Sequence, residues 1–132
     1  MNGIQINKYV RRWLTGSEAV TSLVPVQNIQ PLIISPSQQP FITFTHGPIR
    51  PDYSKQGQVI DEVEVAIAVC STEYEDGIDI AAAVRDTLEW KSFNDGNIYI
   101  PDITFTELSE DCIDDMFVQT LVIRFQVETL KN

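Results

Sequence analysis

A chain of 132 residues suits one domain, able to bury roughly two thirds of the surface that its unfolded form exposes. Apolar residues make up 43%, ordinary for a soluble globular protein, and the longest apolar runs, such as Ala66-Ile67-Ala68-Val69-Cys70, are far too short to span a bilayer. The net charge of −10 argues against tight binding to DNA phosphates, an affinity that comes from cations releasing counterions.

The first element is a short helix over Ile4–Leu14. Its apolar side is Ile6, Tyr9, Val10, Trp13 and Leu14, while Lys8, Arg11 and Arg12 project away, with the arginines near the negative end of the dipole. Thr15-Gly16 ends it, and Gly16 is expected as a left-handed cap. Ser17-Glu18-Ala19-Val20 begins another short turn, closed by Pro25. Six of the seven prolines lie between Pro25 and Pro51, which marks the irregular part of the chain. Two short strands are expected there. Asn28–Ile34 is interrupted at Pro31 and therefore belongs at a sheet edge. Phe41–Thr45 is rich in strand formers. From Gly47 to Gln58 follows a polar stretch without apolar period, too long for a tight hairpin turn, and loops of this length are commonly functional or mobile.

The most regular part runs from Asp61 to Trp90. Val63, Val65, Ile67 and Val69 alternate with Glu62, Glu64, Ala66 and Ala68, the pattern of a strand with one fully apolar face. Tyr74–Trp90 then changes to helical period, with Ile80, Ala81, Val84, Leu88 and Ile78 as its stripe. Glu73, Glu75, Asp76 and Asp79 crowd the helix start, where they complement its dipole. Asp95-Gly96 is a turn signal. Asn97–Leu108 reads as a strand bent at Pro101, Ser109–Asp115 as an acidic connector, and Phe117–Glu128 as a long strand antiparallel to the preceding one. In that last strand Phe117, Gln119, Leu121, Ile123, Phe125 and Val127 share one face. The order is α-β-β-β-α-β-β. It gives an α+β fold, a single domain over residues 1–132, with helices packed on a mainly antiparallel sheet. Its expected core contains Val65, Ile67, Val84, Leu88, Leu121 and Ile123.

Charge is segregated along the chain. Residues 1–60 hold five bases and two acids, a net of +3, whereas residues 61–132 hold 17 acids and four bases, a net of −13. A basic region and an acidic region suit contact between copies of the chain. The N-terminus lacks the apolar stretch of a secretory signal, so an intracellular origin is expected. Cys70 and Cys112 lack metal or CxxC spacing and are expected as free thiols. His46, the single histidine, precedes Gly47-Pro48 and reads as a loop residue; no GxSxG serine accompanies it. Glu110, Asp111, Asp114 and Asp115 lack the glycine and alternating oxygens of an EF-hand. No phosphate loop or dinucleotide fingerprint is present. No catalytic residue, cofactor site or metal site is therefore assigned.

The element order and several packing patterns resemble the tail-terminator (tail-completion) proteins of long-tailed bacteriophages and prophages. The residues that carry the resemblance are the N-terminal helix, Gln39-Pro40-Phe41-Ile42-Thr43-Phe44 after its proline-rich lead-in, the Val63–Val69 strand and the Ser71–Leu88 segment. Within that segment Ala81-Ala82-Ala83-Val84-Arg85-Asp86-Thr87-Leu88 carries the helix pattern, and two closing strands complete the fold. The resemblance implies a structural virion protein rather than an enzyme. It would form a homo-oligomeric ring, typically a hexamer, that caps the tail tube and contacts the tail-tube protein and head-side connector proteins. It would assemble in the bacterial host cytoplasm, with DNA passing through the ring unbound and no membrane involved. An acidic chain suits such a channel, because like charge avoids phosphate contacts. The expected subunit or partner contact lies in the polar stretch, at Ile49, Arg50, Tyr53 and Lys55. Two alternatives are a head-closure or connector ring and a small cytoplasmic enzyme or ligand-binding domain built around His46.

Overall fold

The computed structural model describes residues 3–31, 40–53 and 59–129. A single 3-10 turn at Gly3–Gln5 leads into helix α1 (Ile6–Thr15). Ile6, Tyr9, Val10 and Leu14 are buried as their spacing requires, and Trp13 stacks on Phe125 with ring centroids 6.1 Å apart. The turn is anchored by Asp61, itself buried, whose carboxylate accepts the Gly3 N–H at 2.9 Å. A Cβ at position 3 would lie 2.7 Å from that of Asp61, so the approach requires glycine. Gly16 does not form the expected left-handed cap. Its φ of −87° is right-handed, because the chain goes on into a second short helix, α2 (Glu18–Thr21), instead of reversing.

Eight strands follow: β1 (Ile29–Pro31), β2 (Phe41–His46), β3 (Arg50–Asp52), β4 (Val59–Ser71), β5 (Phe93–Asn94), β6 (Ile98–Ile100), β7 (Ile103–Ile113) and β8 (Met116–Thr129), with helix α3 (Tyr74–Leu88) between β4 and β5. They form one sheet in the order β1-β2-β4-β8-β6-β5, with β3 also on β4 and β7 also on β8. All pairings are antiparallel except β1 with β2. The α+β architecture expected from the sequence is thus observed, and β1 with its Pro31 lies at an edge. The rest of the expected Asn28–Ile34 strand, past Pro31, lies outside the described residues. At the centre β4 and β8 pair from Val59↔Thr129 to Ser71↔Phe117.

That register decides the layers. Val63, Val65, Ile67 and Val69 share a face with Leu121, Ile123 and Phe125, and all are buried in one cluster with Ile80, Val84 and Leu88 of α3 and the apolar side of α1. The six expected core residues are all buried there. Ile78 lies outside the buried stripe and is exposed. On the opposite face Ala66 and Ala68 pair with Val122 and Thr120, and these side chains are only half-buried. The ion pair of Glu62 with Arg124 on that face spans 2.9 Å and is exposed on both sides. Such a pair stabilises little.

Three further expectations change. The Asn97–Leu108 run is two strands, β6 and β7, because Pro101 cannot donate to a ladder and pairing with β8 resumes at Ile103 with the register moved by one residue. Ser109–Asp115 is no connector. Its residues through Ile113 belong to β7, and only Asp114-Asp115 turn, at φ of 50° and 64°, the left-handed pair of a two-residue hairpin. Thr106 to Asp115 are all exposed, so repulsion between the acids is relieved by water. Helix α3 ends at Leu88, short of Trp90. Trp90 has a φ of 64° and donates its N–H to Ile103 O at 2.8 Å.

Both cysteines are free, Cys70 buried and Cys112 exposed on β7. Burial pushes the Cys70 thiol up to about 11, so at neutral pH almost none of it is the reactive thiolate. A thiol reagent is expected to titrate one cysteine, Cys112, in the native protein and both after unfolding. Fast labelling of two thiols in the folded state would contradict the burial of Cys70.

Candidate joining surface

As far as Tyr53, the polar stretch after β2 has more regular structure than its composition suggests. Gly47 donates its N–H to Glu64 O at 2.9 Å, which carries the β2–β4 ladder past the end of β2. Ile49 is half-buried and packs against the core. The chain then continues as β3, with Arg50 opposite Glu62, Pro51 opposite Asp61 and Asp52 opposite Ile60. Pro48 and Pro51 read as breakers in the sequence. Here β3 is an edge strand, where a missing N–H can face solvent. Every residue of β3 is exposed, and Tyr53 just beyond it is 73% exposed. Of the four expected contact residues, Arg50 and Tyr53 are therefore each exposed, Ile49 packs against the core, and Lys55 lies outside the described residues.

Beside this edge lies an open groove of about 440 Å³, lined by His46, Arg50, Glu62, Glu64 and Arg124 among others. It is the kind of concavity that a ligand-site reading of His46 needs. Its Glu62 carboxylate and its His46 ring are nevertheless already engaged. Glu62 accepts from Arg124 at 2.9 Å and from Gln126 at 3.3 Å. The His46 ring donates from Nδ1 to the Gly47 carbonyl at 2.7 Å. Among the described residues no hydrogen bond joins His46 to a carboxylate or to the Thr45 hydroxyl, so no base is oriented toward a nucleophile.

The acidic flank is built by α3 and β7 on the other side of the sheet. Tyr74 donates its hydroxyl to Glu110 at 2.5 Å, and the buried Gln119 donates to the same carboxylate at 2.8 Å. The Tyr74 hydroxyl, then the Gln119 amide, hold the Glu110 carboxyl below its usual range. Glu110 and Asp111 are adjacent on a strand and point to opposite faces, so these acids do not converge on one point. No cluster of three or more metal-ligating side chains occurs among the described residues. A shallow apolar groove of about 210 Å³ runs between α3 and β7, floored by Leu121 and walled by Ile78, Ala82, Phe105 and Leu108. At one end the Arg85 guanidinium lies 4.0 Å above the Phe105 ring and pairs with Glu89. Sequence reading placed Leu108 at a strand end and Ile78 within the core stripe, so this groove was missed. The signal available was the pair of apolar residues left over beside acids on both elements.

The solved structure of a chain from the virion of a native gene transfer agent (GTA) particle is similar, with a TM-score of 0.74 and 20% identity over 90% of this chain and 91% of that one. At that identity the likeness shows a shared fold. A search of curated proteins gives no match. The sequence profile of the family described as Tail completion protein gp17 matches residues 8–128, from the first turns of α1 to the last turn of the ladder in β8. The chain therefore belongs to the tail completion protein gp17 family, and it is a structural protein of tail completion in a phage-like virion.

Proposed function

We propose that the chain acts as one domain that assembles into a homo-oligomeric ring, a hexamer in the reading drawn from its family resemblance. The ring caps the finished tail tube and joins it to the head-side connector. The observation that carries this reading is the placement of charge and exposure on opposite edges of one sheet. Arg50 on β3 and Tyr53 just past its end stand exposed, and the acids of α3 and β7 stand exposed across β4 and β8. Different patches on the two sides of a subunit suit a head-to-tail contact, the kind that closes rings. The family match supports the tail as its place of action. The same acidity supports a lumen that DNA crosses without phosphate contacts. The His46 groove, with its Glu62 carboxylate already paired and its ring bonded to the Gly47 carbonyl, supports a role without catalysis or cofactor.

Sedimentation velocity over a range of concentrations, with a pull-down against tail-tube protein, tests the reading. A ring that binds the tube is expected, and binding to portal-side proteins alone would favour a head-closure component instead. His46→Ala is expected to change neither stability nor assembly. Loss of phage assembly by a well-folded, ring-forming His46→Ala chain would return attention to the groove as a ligand site.

A further inference from the structure

The groove between α3 and β7 is too small for a drug-sized ligand, whose sites span roughly 300–1,000 Å³, yet it is apolar and open. Ile78 is 41% exposed and Leu108 48% exposed on its walls. Just beyond Arg85, Trp90 is 71% exposed and held in the left-handed region, an outlier for a bulky side chain. Strained residues of this kind concentrate where a surface works on something else, and exposed apolar residues gathered in one place mark contact sites. On its α3 wall Asp79 and Asp86 are exposed, and among the described residues neither forms an ion pair. The occupant should therefore carry an apolar knob and a cation. The acids on β7 also discourage another strand from pairing along its free edge, so the contact should be made by side chains seated in the groove.

One exposed element of the chain has that chemistry. Tyr53 is the most exposed large apolar residue among those described, at 73%, and Arg50 stands exposed three residues earlier, on β3. The strands that carry knob and groove lie on opposite sides of the central β4–β8 pair. They cannot meet within one chain, but they can meet between two. We propose that the α3–β7 groove of one copy receives the β3 edge of a second copy, with Tyr53 seated between Ile78 and Leu108 and Arg50 against the acids of that flank. The inference rests on the ring reading and supplies its two contacting surfaces.

The test places the photo-reactive p-benzoylphenylalanine at position 53, which keeps an aromatic group there, and irradiates the full chain at ring-forming concentration. Mass spectrometry of an isotopically mixed sample separates contacts between chains from those within one. Cross-links between chains to the peptides holding Ile78 or Leu108 are expected. Tyr53→Ser is expected to raise the concentration needed for ring formation at least tenfold without changing the circular dichroism of the monomer. Arg50→Glu should weaken assembly and Asp86→Lys in the same chain should restore part of it. Rings that form normally with Tyr53→Ser and give no such cross-link would overturn the groove contact while leaving the ring intact. Cross-links from position 53 to position 53 of another copy, or to tail-tube protein in place of a second copy, would also overturn it. A chain that stays monomeric at all concentrations and with tail-tube protein would overturn both the groove contact and the ring.

Discussion

Leu88→Ala is expected to lower the unfolding free energy by about 2–5 kcal/mol. Leu88 is 1% exposed in the last turn of α3, inside the cluster that holds Val65, Ile67 and Ile123 of the sheet. Removing its isobutyl group loses the transfer energy of those carbons and leaves a cavity in a core rich in β-branched residues. The sheet residues of that core are held by the continuous β4–β8 ladder and can relax little. The upper part of the range is therefore the expectation. At about 3–5 °C per kcal/mol for a domain of this size, thermal unfolding should fall by about 10 °C or more. Leu108→Ala is the control. Leu108 is 48% exposed on β7, and such surface changes usually stay within about 0.5 kcal/mol. Equal stability of Leu88→Ala and the parent chain would mean that the buried face of α3 is assigned wrongly.

The β4–α3 unit and the strand β8 were legible because each has one clear period and one buried face. Val63 to Val69 and Leu121 to Val127 alternate without a break, and both runs sit where the alternation puts them. Local reading failed where the partner of a segment was remote in sequence. Arg50–Asp52 has no apolar period, since all three residues are exposed; it is a strand only because β4 supplies the ladder. Ser109–Ile113 likewise looks like an acidic connector until β8 is placed beside it. Asp61 seemed to be the polar start of a strand, and its role in holding Gly3 joins residues 58 positions apart. The exposed contact residues were partly legible. A cation and an aromatic in a polar stretch pointed to Arg50 and Tyr53, but only the sheet order shows that they face away from the acidic flank. Ile49 could not be told from a contact residue by sequence, because its packing depends on which way the chain turns at Gly47.

Replacing Arg50–Gln58 with a short Gly-Ser linker is expected to leave the monomer folded and to weaken ring formation strongly. The linker length is set by the register. Arg50 pairs with Glu62, which places Ile49 level with Val63, four residues along β4 from Val59. The linker must span about 14 Å at strand rise, which five residues cover. A two-residue turn would instead drag Val59–Glu62 off β8 and release Asp61 from Gly3. With the longer linker the losses are the three exposed pairs of β3, while Ile49 keeps its packing. A shorter loop also costs less to close, by a few tenths of a kcal/mol. The net change in monomer stability should thus stay within about 1 kcal/mol. Assembly loses more, because the variant lacks both the aromatic anchor and its cation. Anchors of this kind contribute at least about 2 kcal/mol each to an interface, so the ring should weaken by a factor of roughly 30 or more. Every subunit of a closed ring carries the lesion, which multiplies the effect. Hydrogen exchange gives an independent reading: in the parent chain, amides of Arg50–Tyr53 should gain protection when the ring forms. Normal assembly of the linker variant, together with unchanged exchange at those amides, would remove β3 from the interface.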